Sequence, residues 1–390
     1  MVPFVGAFVL LAGLVSTFSQ DGELEATKTG PWGKIEYFET ILEPTIPGFV
    51  YQRIQQLETI WKFGQTDQSG VSDLLQEIGI PSDLIDELCT EGRWFRDSTG
   101  LAVVVPDSLI SELTMDQRTA LYPRVYNQEA LTHLSFNIQR GNLDYLTSDL
   151  PRADVERIRS FLFRREKALS LIDVGPLLRS YPDFKDVQRV YNSLVRVQGL
   201  VAQLRVCPEE DLSSIINYWS ANGKNPNVAD FLEEVTGSSR TAIDLFHLLP
   251  PVPKRYLNTY PKISASNYQD AIDCWWTAIN FFNPDPSPRL LDPLPLSYFL
   301  ERGFERVQPP YQFGDLILLY GTDGQDKQFL VHAYNHVADE IVFSKNGKGN
   351  VQPWILIRES DVLSLYAYTE TKKLVFRRKP SASKLLPSSL

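Results

Sequence analysis

Asp273-Cys274-Trp275-Trp276 is the stretch that decides the fold, because it places a cysteine at the start of a predicted helix that precedes three predicted strands. The first strand follows a Gly-Asp pair in Gly314–Leu319, the second is Phe329–Tyr334, and the third lies within Glu340–Gly347. A short helix followed by consecutive strands predicts an α+β domain with an antiparallel sheet.

Cys274 is the candidate nucleophile of this region. Asp273 is the expected N-cap, so Cys274 would lie in the first helical turn. Backbone N–H groups and the helix dipole at that end stabilise a thiolate and could also donate to an oxyanion. The alternative interpretation is an inert cysteine buried in an aromatic-rich helix.

His332 is the candidate base, and Asn346 is the candidate for the group that orients it. An imidazole that accepts the thiol proton, held by a polar third residue, is what thiol-based acyl transfer requires. His332 could instead be a satisfied core residue, and Lys345-Asn346-Gly347 also predicts a hairpin turn. Strand alternation puts Ser344 on the same face as Asn346 and Lys345 on the other face. Ser344 is therefore a second candidate for the third position.

In this order the motifs resemble those of the NlpC-like papain-fold cysteine peptidases, which are bacterial cell-wall amidases and endopeptidases that are typically exported. The resemblance covers roughly residues 262–370. The matching positions are Asp273-Cys274, Gly314-Asp315 and His332, with Ser344 or Asn346 at the third polar position. The resemblance implies a papain-like fold and cleavage of an amide bond in a peptide or cell-wall peptide. Trp275 and Trp276 depart from it, since the family has small residues after the cysteine.

The composition excludes one class of function. The chain has 390 residues, a formal net charge of -10 and a pI near 5.1. A nucleic-acid-binding protein needs a basic face to neutralise phosphates, so nucleic acid is not an expected partner. No metal or organic cofactor is expected, because the chain has only four histidines and no phosphate-binding loop or dinucleotide fingerprint.

The N-terminus predicts export. Residues 1–20 are apolar up to Phe18 and then small and polar, which is typical of a secretory signal peptide, although a positive n-region is missing. The mature protein is therefore expected to be periplasmic or extracellular, without a stable membrane span. In that compartment Cys89 and Cys207 could form a disulfide, and three free thiols is the alternative.

The remaining chain divides into a mostly helical N-terminal region (21–255), a papain-like domain (256–380) and a flexible tail (381–390). Within the first region the residues predict a helix, a loop and a short helix over 21–65, helices over 153–171 and 241–249, and a capping box at Thr114–Gln117. The expected function is that of an exported cysteine hydrolase. The alternative is a non-catalytic exported binding or scaffold protein that retains a papain-like fold.

Overall fold

A computed structural model describes most of the chain. The described residues are 24–126, 136–138, 142–165, 168–206, 211–236, 242–262, 272–286, 296–322, 328–347, 349–366 and 370–380. The expected signal peptide (1–20), Cys207 and the expected tail (381–390) lie outside the described residues.

The described elements follow one another in chain order. The strands are β1 (Glu25–Ala26), β2 (Lys34–Leu42), β3 (Ile60–Gly64), β4 (Arg93–Asp97), β5 (Gly100–Val104), β6 (Phe136–Ile138), β7 (Phe163–Arg165), β8 (Ala168–Leu171), β9 (Val197–Arg205), β10 (Ala242–Asp244), β11 (Phe304–Arg306), β12 (Leu316–Thr322), β13 (Gln328–Ala338), β14 (Ile341–Lys345), β15 (Trp354–Arg358) and β16 (Thr371–Arg378). The helices are α1 (Gly48–Gln55), α2 (Gln68–Glu77), α3 (Ser82–Glu91), α4 (Asp107–Glu112), α5 (Met115–Val125), α6 (Asn142–Leu146), α7 (Arg152–Ser160), α8 (Val174–Arg179), α9 (Phe184–Leu194), α10 (Leu212–Ser220), α11 (Asn227–Thr236), α12 (Pro251–Tyr256), α13 (Cys274–Ile279), α14 (Leu296–Gly303) and α15 (Glu359–Leu365).

A ten-stranded sheet forms the centre of the molecule. Its order is β1-β2-β9-β15-β14-β13-β12-β16-β11, and β10 pairs with β9. The described pairings in this sheet are antiparallel. The expected α+β class with an antiparallel sheet is therefore confirmed.

The sheet crosses the boundary that the sequence placed at residue 255. β2 and β9 come from the N-terminal region, and β9 joins β15 through the pair Leu356↔Leu200. Side chains from both regions also share one hydrophobic cluster, in which Ile35 and Leu204 pack with Phe313 and Phe343. The strands around the cysteine helix are thus extended by strands from early in the chain.

Residues 34–42 form a strand, and the helix expected within 21–65 was wrong at this point. Ile35 and Tyr37 are buried while Lys34 and Glu36 are more exposed, which is the two-residue alternation of a half-buried strand. A prediction made from the aromatic content and the prolines of this segment does not report that alternation.

Residues 48–195 build a separate hydrophobic core from α1–α9 and two three-stranded sheets, β3-β5-β4 and β6-β8-β7. The capping box at Thr114 and Gln117 is confirmed. The single helix expected over 153–171 was wrong: α7 ends at Ser160, and β7 and β8 follow as a hairpin. The helix expected over 241–249 was also wrong, because β10 and a 3-10 turn at Leu245–Leu248 occupy it.

Helix α13 lies on one face of the central sheet. Trp276 and Ala278 of α13 pack with Leu316, Leu318 and Ala333 of β12 and β13. The opposite face carries a different cluster, in which Tyr334 and Val342 pack against α15 and β16. Within the part of the chain that the structure describes, no helix combines the length and apolar character needed to span a membrane.

Candidate functional site

Cys274 begins α13, as the sequence predicts. Asp273 is the N-cap, and its side chain accepts a hydrogen bond of 2.7 Å from the Trp276 N–H. The Thr277 hydroxyl donates to the Asp273 carbonyl over 2.8 Å. The cap satisfies one of the free N–H groups at the start of this short helix, and together with the Thr277 hydroxyl it fixes where the cysteine lies.

The Cys274 sulfur lies against β13, while part of the residue stays exposed to solvent. The backbone amides of Ala333 and Trp275 lie close enough to the sulfur to favour the thiolate. Burial opposes them and is the larger effect, so the pKa of the Cys274 thiol rises to about 11, with a further contribution from the Asp273 carboxylate. The direction is the reverse of the lowered pKa that the helix position alone predicted, because desolvation outweighs the effect of the two amides.

His332 lies in the middle of β13 and is fully buried. Its Nε2 is 2.9 Å from the Ser344 Oγ, and the Ser344 hydroxyl donates to Asn346 Oδ1 over 2.8 Å. The structure therefore brings His332 and Asn346 together, but Ser344 stands between them as the direct partner of the ring. Of the two candidates for the third position, Ser344 is the one in direct contact.

The other ring nitrogen of His332 is unusual. Nδ1 is buried and has no hydrogen-bond partner in the structure. A buried polar atom without a partner is rare in a folded protein and calls for an explanation. Since Nε2 is engaged by Ser344, Nδ1 is the nitrogen available to accept a proton.

The Cys274 thiol lies on one face of β13, and the His332 imidazole lies on the other face. The sulfur contacts the amide of Ala333, which follows His332 directly in the chain. The imidazole stacks on Tyr366, with 4.3 Å between ring centroids, and on Tyr334, both of which belong to the cluster on the face away from α13. No hydrogen bond between Cys274 and His332 is found among the described residues.

Both groups are held in their neutral forms. Burial lowers the pKa of His332 to about 3 and the charge of Lys345 lowers it further, whereas the Asn346 side chain acts to raise it. A raised thiol pKa and a lowered imidazole pKa leave both groups neutral at pH 7.

Lys345 is the residue that sequence reasoning missed at this site. It is fully buried, although charged lysines are rarely so. Alternation along β14 already placed it on the face opposite Ser344, which is the face of α13. The sequence offered no sign that this lysine would be buried, because it stands next to a turn with Gly347 in a left-handed conformation.

Gly314 and Asp315 have a structural role beside the site. The Gly314 N–H donates to the His336 carbonyl, and the His336 N–H donates to the Asp315 carbonyl. The Asp315 carboxylate accepts two hydrogen bonds from Arg377, of 2.9 and 2.7 Å. These contacts fix the register of β12, β13 and β16 around His332.

Cys89 lies outside the site and is a free, exposed cysteine. Cys207, with which it could pair, lies outside the described residues. Among the residues that the structure describes, no group of three or more histidine, cysteine, aspartate or glutamate side chains could hold a metal ion.

Comparison with protein-family models, with curated proteins and with solved structures finds no significant match for this chain. A functional assignment therefore depends on the geometry and electrostatics of the site.

Proposed function

We propose that the protein is a cysteine-dependent hydrolase that cleaves an amide bond, with Cys274 as the nucleophile. The observation that carries the proposal is the position of the Cys274 sulfur beside Ala333 at the start of a capped helix, with the unpartnered Nδ1 of His332 on the other face of the same strand. Nucleophile, base and a group that holds the base are then contributed by α13, β13 and β14.

His332 is the base, and later the acid, of this proposal. Ser344 holds Nε2, so that the lone pair of Nδ1 is left to take the thiol proton as the sulfur attacks the carbonyl carbon. The imidazolium then gives the proton to the leaving amine. In the second half of the reaction the imidazole takes a proton from water as the water oxygen attacks the acyl carbon, and it returns that proton to the sulfur as the thiol leaves. In the structure the His332 ring lies on the face of the sheet away from α13, so the proposal requires a rearrangement that brings Nδ1 to the Cys274 sulfur before the proton can move.

The proposed substrate class is a peptide, with cell-wall stem peptides as the first candidates. This choice rests on the resemblance of Asp273-Cys274, Gly314-Asp315 and His332 to the motifs of NlpC-like peptidases. The same resemblance and the apolar N-terminus support the proposal that the protein is exported.

The test is hydrolysis of soluble muropeptides, followed by the release of new amino groups. Cys274→Ala and His332→Ala should lower the rate to the background level. Cys89→Ala is the matched control, because Cys89 is an exposed free cysteine outside the site, and it should leave the rate unchanged. A rate that survives Cys274→Ala would remove the hydrolase proposal.

A second candidate function is a non-catalytic binding or scaffold protein. The observation that favours it is the stacking of His332 between Tyr334 and Tyr366 on the face away from α13. In that case His332 and Ser344 are a buried polar pair of the core. The two functions are separated by the variants above, since a scaffold protein would release no amine in any of them.

A further inference from the structure

Lys345 is a buried cation that the proposed chemistry has not yet used. Its side chain is fully buried at the end of β14. Nζ donates to the carbonyl oxygens of Gly347 at 2.7 Å and Gly349 at 3.2 Å. It also lies 5.4 Å from the centre of the Trp354 ring, a cation–π distance. Two neutral carbonyls and an aromatic ring stabilise the ammonium, and none of the three carries a full negative charge.

The side chain of Lys345 is on the same face as Cys274. Lys345 is paired with Trp354 across β14 and β15. The indole N–H of Trp354 donates to the Thr277 hydroxyl of α13 over 2.9 Å. Neighbours paired across two strands point to the same face, so Lys345 points towards α13.

The register brings Lys345 to the level of the sulfur. β13 and β14 pair at Asn335↔Phe343. Continuing this register by two residues along each strand, beyond the described pairs, sets Ala333 opposite Lys345. Ala333 is also the β13 residue beside the Cys274 sulfur. Cys274 and Lys345 are therefore on the same side of the sheet, near the end of the β13–β14 pairing.

We propose that Lys345 is the charged partner of Cys274, whose ammonium stabilises the negative charge that develops on the sulfur during acyl transfer. This inference rests on the proposed function, and it adds a fourth group to the site that the motifs did not indicate. A buried charge next to the reacting atom acts strongly, because little water is present to screen it.

The electrostatics around the pair agree with this role. Burial lowers the pKa of Lys345 to about 8, while Cys274 and Asp273 act in the opposite direction. The lysine in turn lowers the pKa of the thiol and of His332. The charged groups that act on the sulfur are thus Asp273 on its own helix and Lys345 on β14. A cation at this place favours the thiolate and disfavours the imidazolium, so its contribution to the proposed reaction is on the sulfur.

The test measures how the reactivity of Cys274 depends on pH. A Cys89→Ala background removes the exposed thiol, and iodoacetamide labelling of Cys274 is followed by peptide mass spectrometry from pH 7 to 10.5. Lys345→Met keeps the length of the side chain and removes its charge. It should slow labelling at pH 7, where the Lys345 ammonium is charged, about tenfold, which corresponds to a rise of about one unit in the thiol pKa. Lys345→Arg keeps the charge and should stay close to the parent.

Absorbance at 240 nm gives a second readout, with Cys274→Ser subtracted as the baseline. The thiolate signal should appear at higher pH in Lys345→Met than in the parent, and circular dichroism at each pH limits the comparison to folded protein. Equal labelling and equal absorbance profiles in Lys345→Met and its parent would overturn the role of Lys345. Hydrolysis that survives Cys274→Ala would instead overturn the proposed function, so the two failures are distinguishable.

Discussion

At the residue scale, the sequence predicted the position of Cys274 and misjudged its chemistry. Asp273 caps α13 as expected, and the cysteine follows it. The direction of the thiol pKa could not be inferred from the chain, because it depends on how deeply β13 and β14 bury the sulfur. Ser344 and Lys345 were assigned to opposite faces correctly by alternation, but their burial depends on the whole sheet.

Asp273 offers a test that separates its two effects. Asp273→Ala should lower the free energy of unfolding by about 1 kcal/mol, because the Trp276 N–H loses its cap. Asp273→Asn keeps a capping oxygen and should stay near the parent in stability. Both variants remove the carboxylate that raises the pKa of Cys274, so in both the thiol should ionise at lower pH. Urea unfolding and thiolate absorbance measure the two effects, and a thiol unaffected by either variant would contradict the role given to the carboxylate.

Ser344 and Asn346 make a second pair of matched variants. Ser344→Ala leaves Nε2 of the buried His332 without a partner, which should cost about 1–3 kcal/mol in unfolding free energy and lower the hydrolysis rate. Asn346→Ala acts on the ring mainly through Ser344. Its effects on the unfolding free energy and on the hydrolysis rate should therefore be smaller. Urea unfolding and the muropeptide assay give the comparison. A larger loss of activity in Asn346→Ala would restore Asn346 as the orienting residue.

At the scale of elements, the strands near the site were predictable and several elsewhere were not. β12, β13 and β14 are apolar runs bounded by glycine or a turn, and each was expected from its residues. β2 and β8 were missed, because they pair with β9 and β6, which are distant in the sequence, and β7 was missed with its partner β8. Local spacing cannot report such partners.

β13 carries two buried histidines, and this makes the stability of the protein depend on pH. Burial lowers the pKa of His332 to about 3 and that of His336 to about 4, from a usual value of 6.5. Below pH 6.5 the unfolded chain binds protons that the folded chain does not, so the free energy of unfolding should fall as the pH falls. The expected loss is at most about 1.4 kcal/mol per pH unit for each histidine. Urea unfolding at pH 7.5 and pH 5 should show it, and His336→Phe should remove part of the slope. A stability that does not change over this interval would contradict the burial of both rings.

At the scale of the whole molecule, two cores share one chain. The core of residues 48–195 contains a buried network in which Asp173 accepts from the Tyr122 hydroxyl and lies 3.6 Å from Arg118. The central sheet has its own clusters on each face. The sequence predicted an α+β protein, but it could not indicate that early strands complete the sheet around the cysteine helix.

The buried network predicts where the first core is most vulnerable. Asp173→Ala leaves the guanidinium of Arg118 buried without its carboxylate, which should lower the free energy of unfolding by about 3–5 kcal/mol. Urea unfolding of the variant measures the loss. Arg93→Ala breaks an exposed ion pair with Glu58 and serves as the control, with an expected effect below about 1 kcal/mol. Equal effects in the two variants would contradict the buried network.

The capture of an acyl-enzyme is the most direct measurement of the proposed role of Cys274. The protein is mixed with muropeptides, quenched in acid within the first turnovers and digested for mass spectrometry. We expect an acyl mass on the peptide that contains Cys274 and none on the peptide that contains Cys89. Amine release without acylation of Cys274, or no amine release from any peptide substrate, would contradict nucleophilic catalysis by this cysteine.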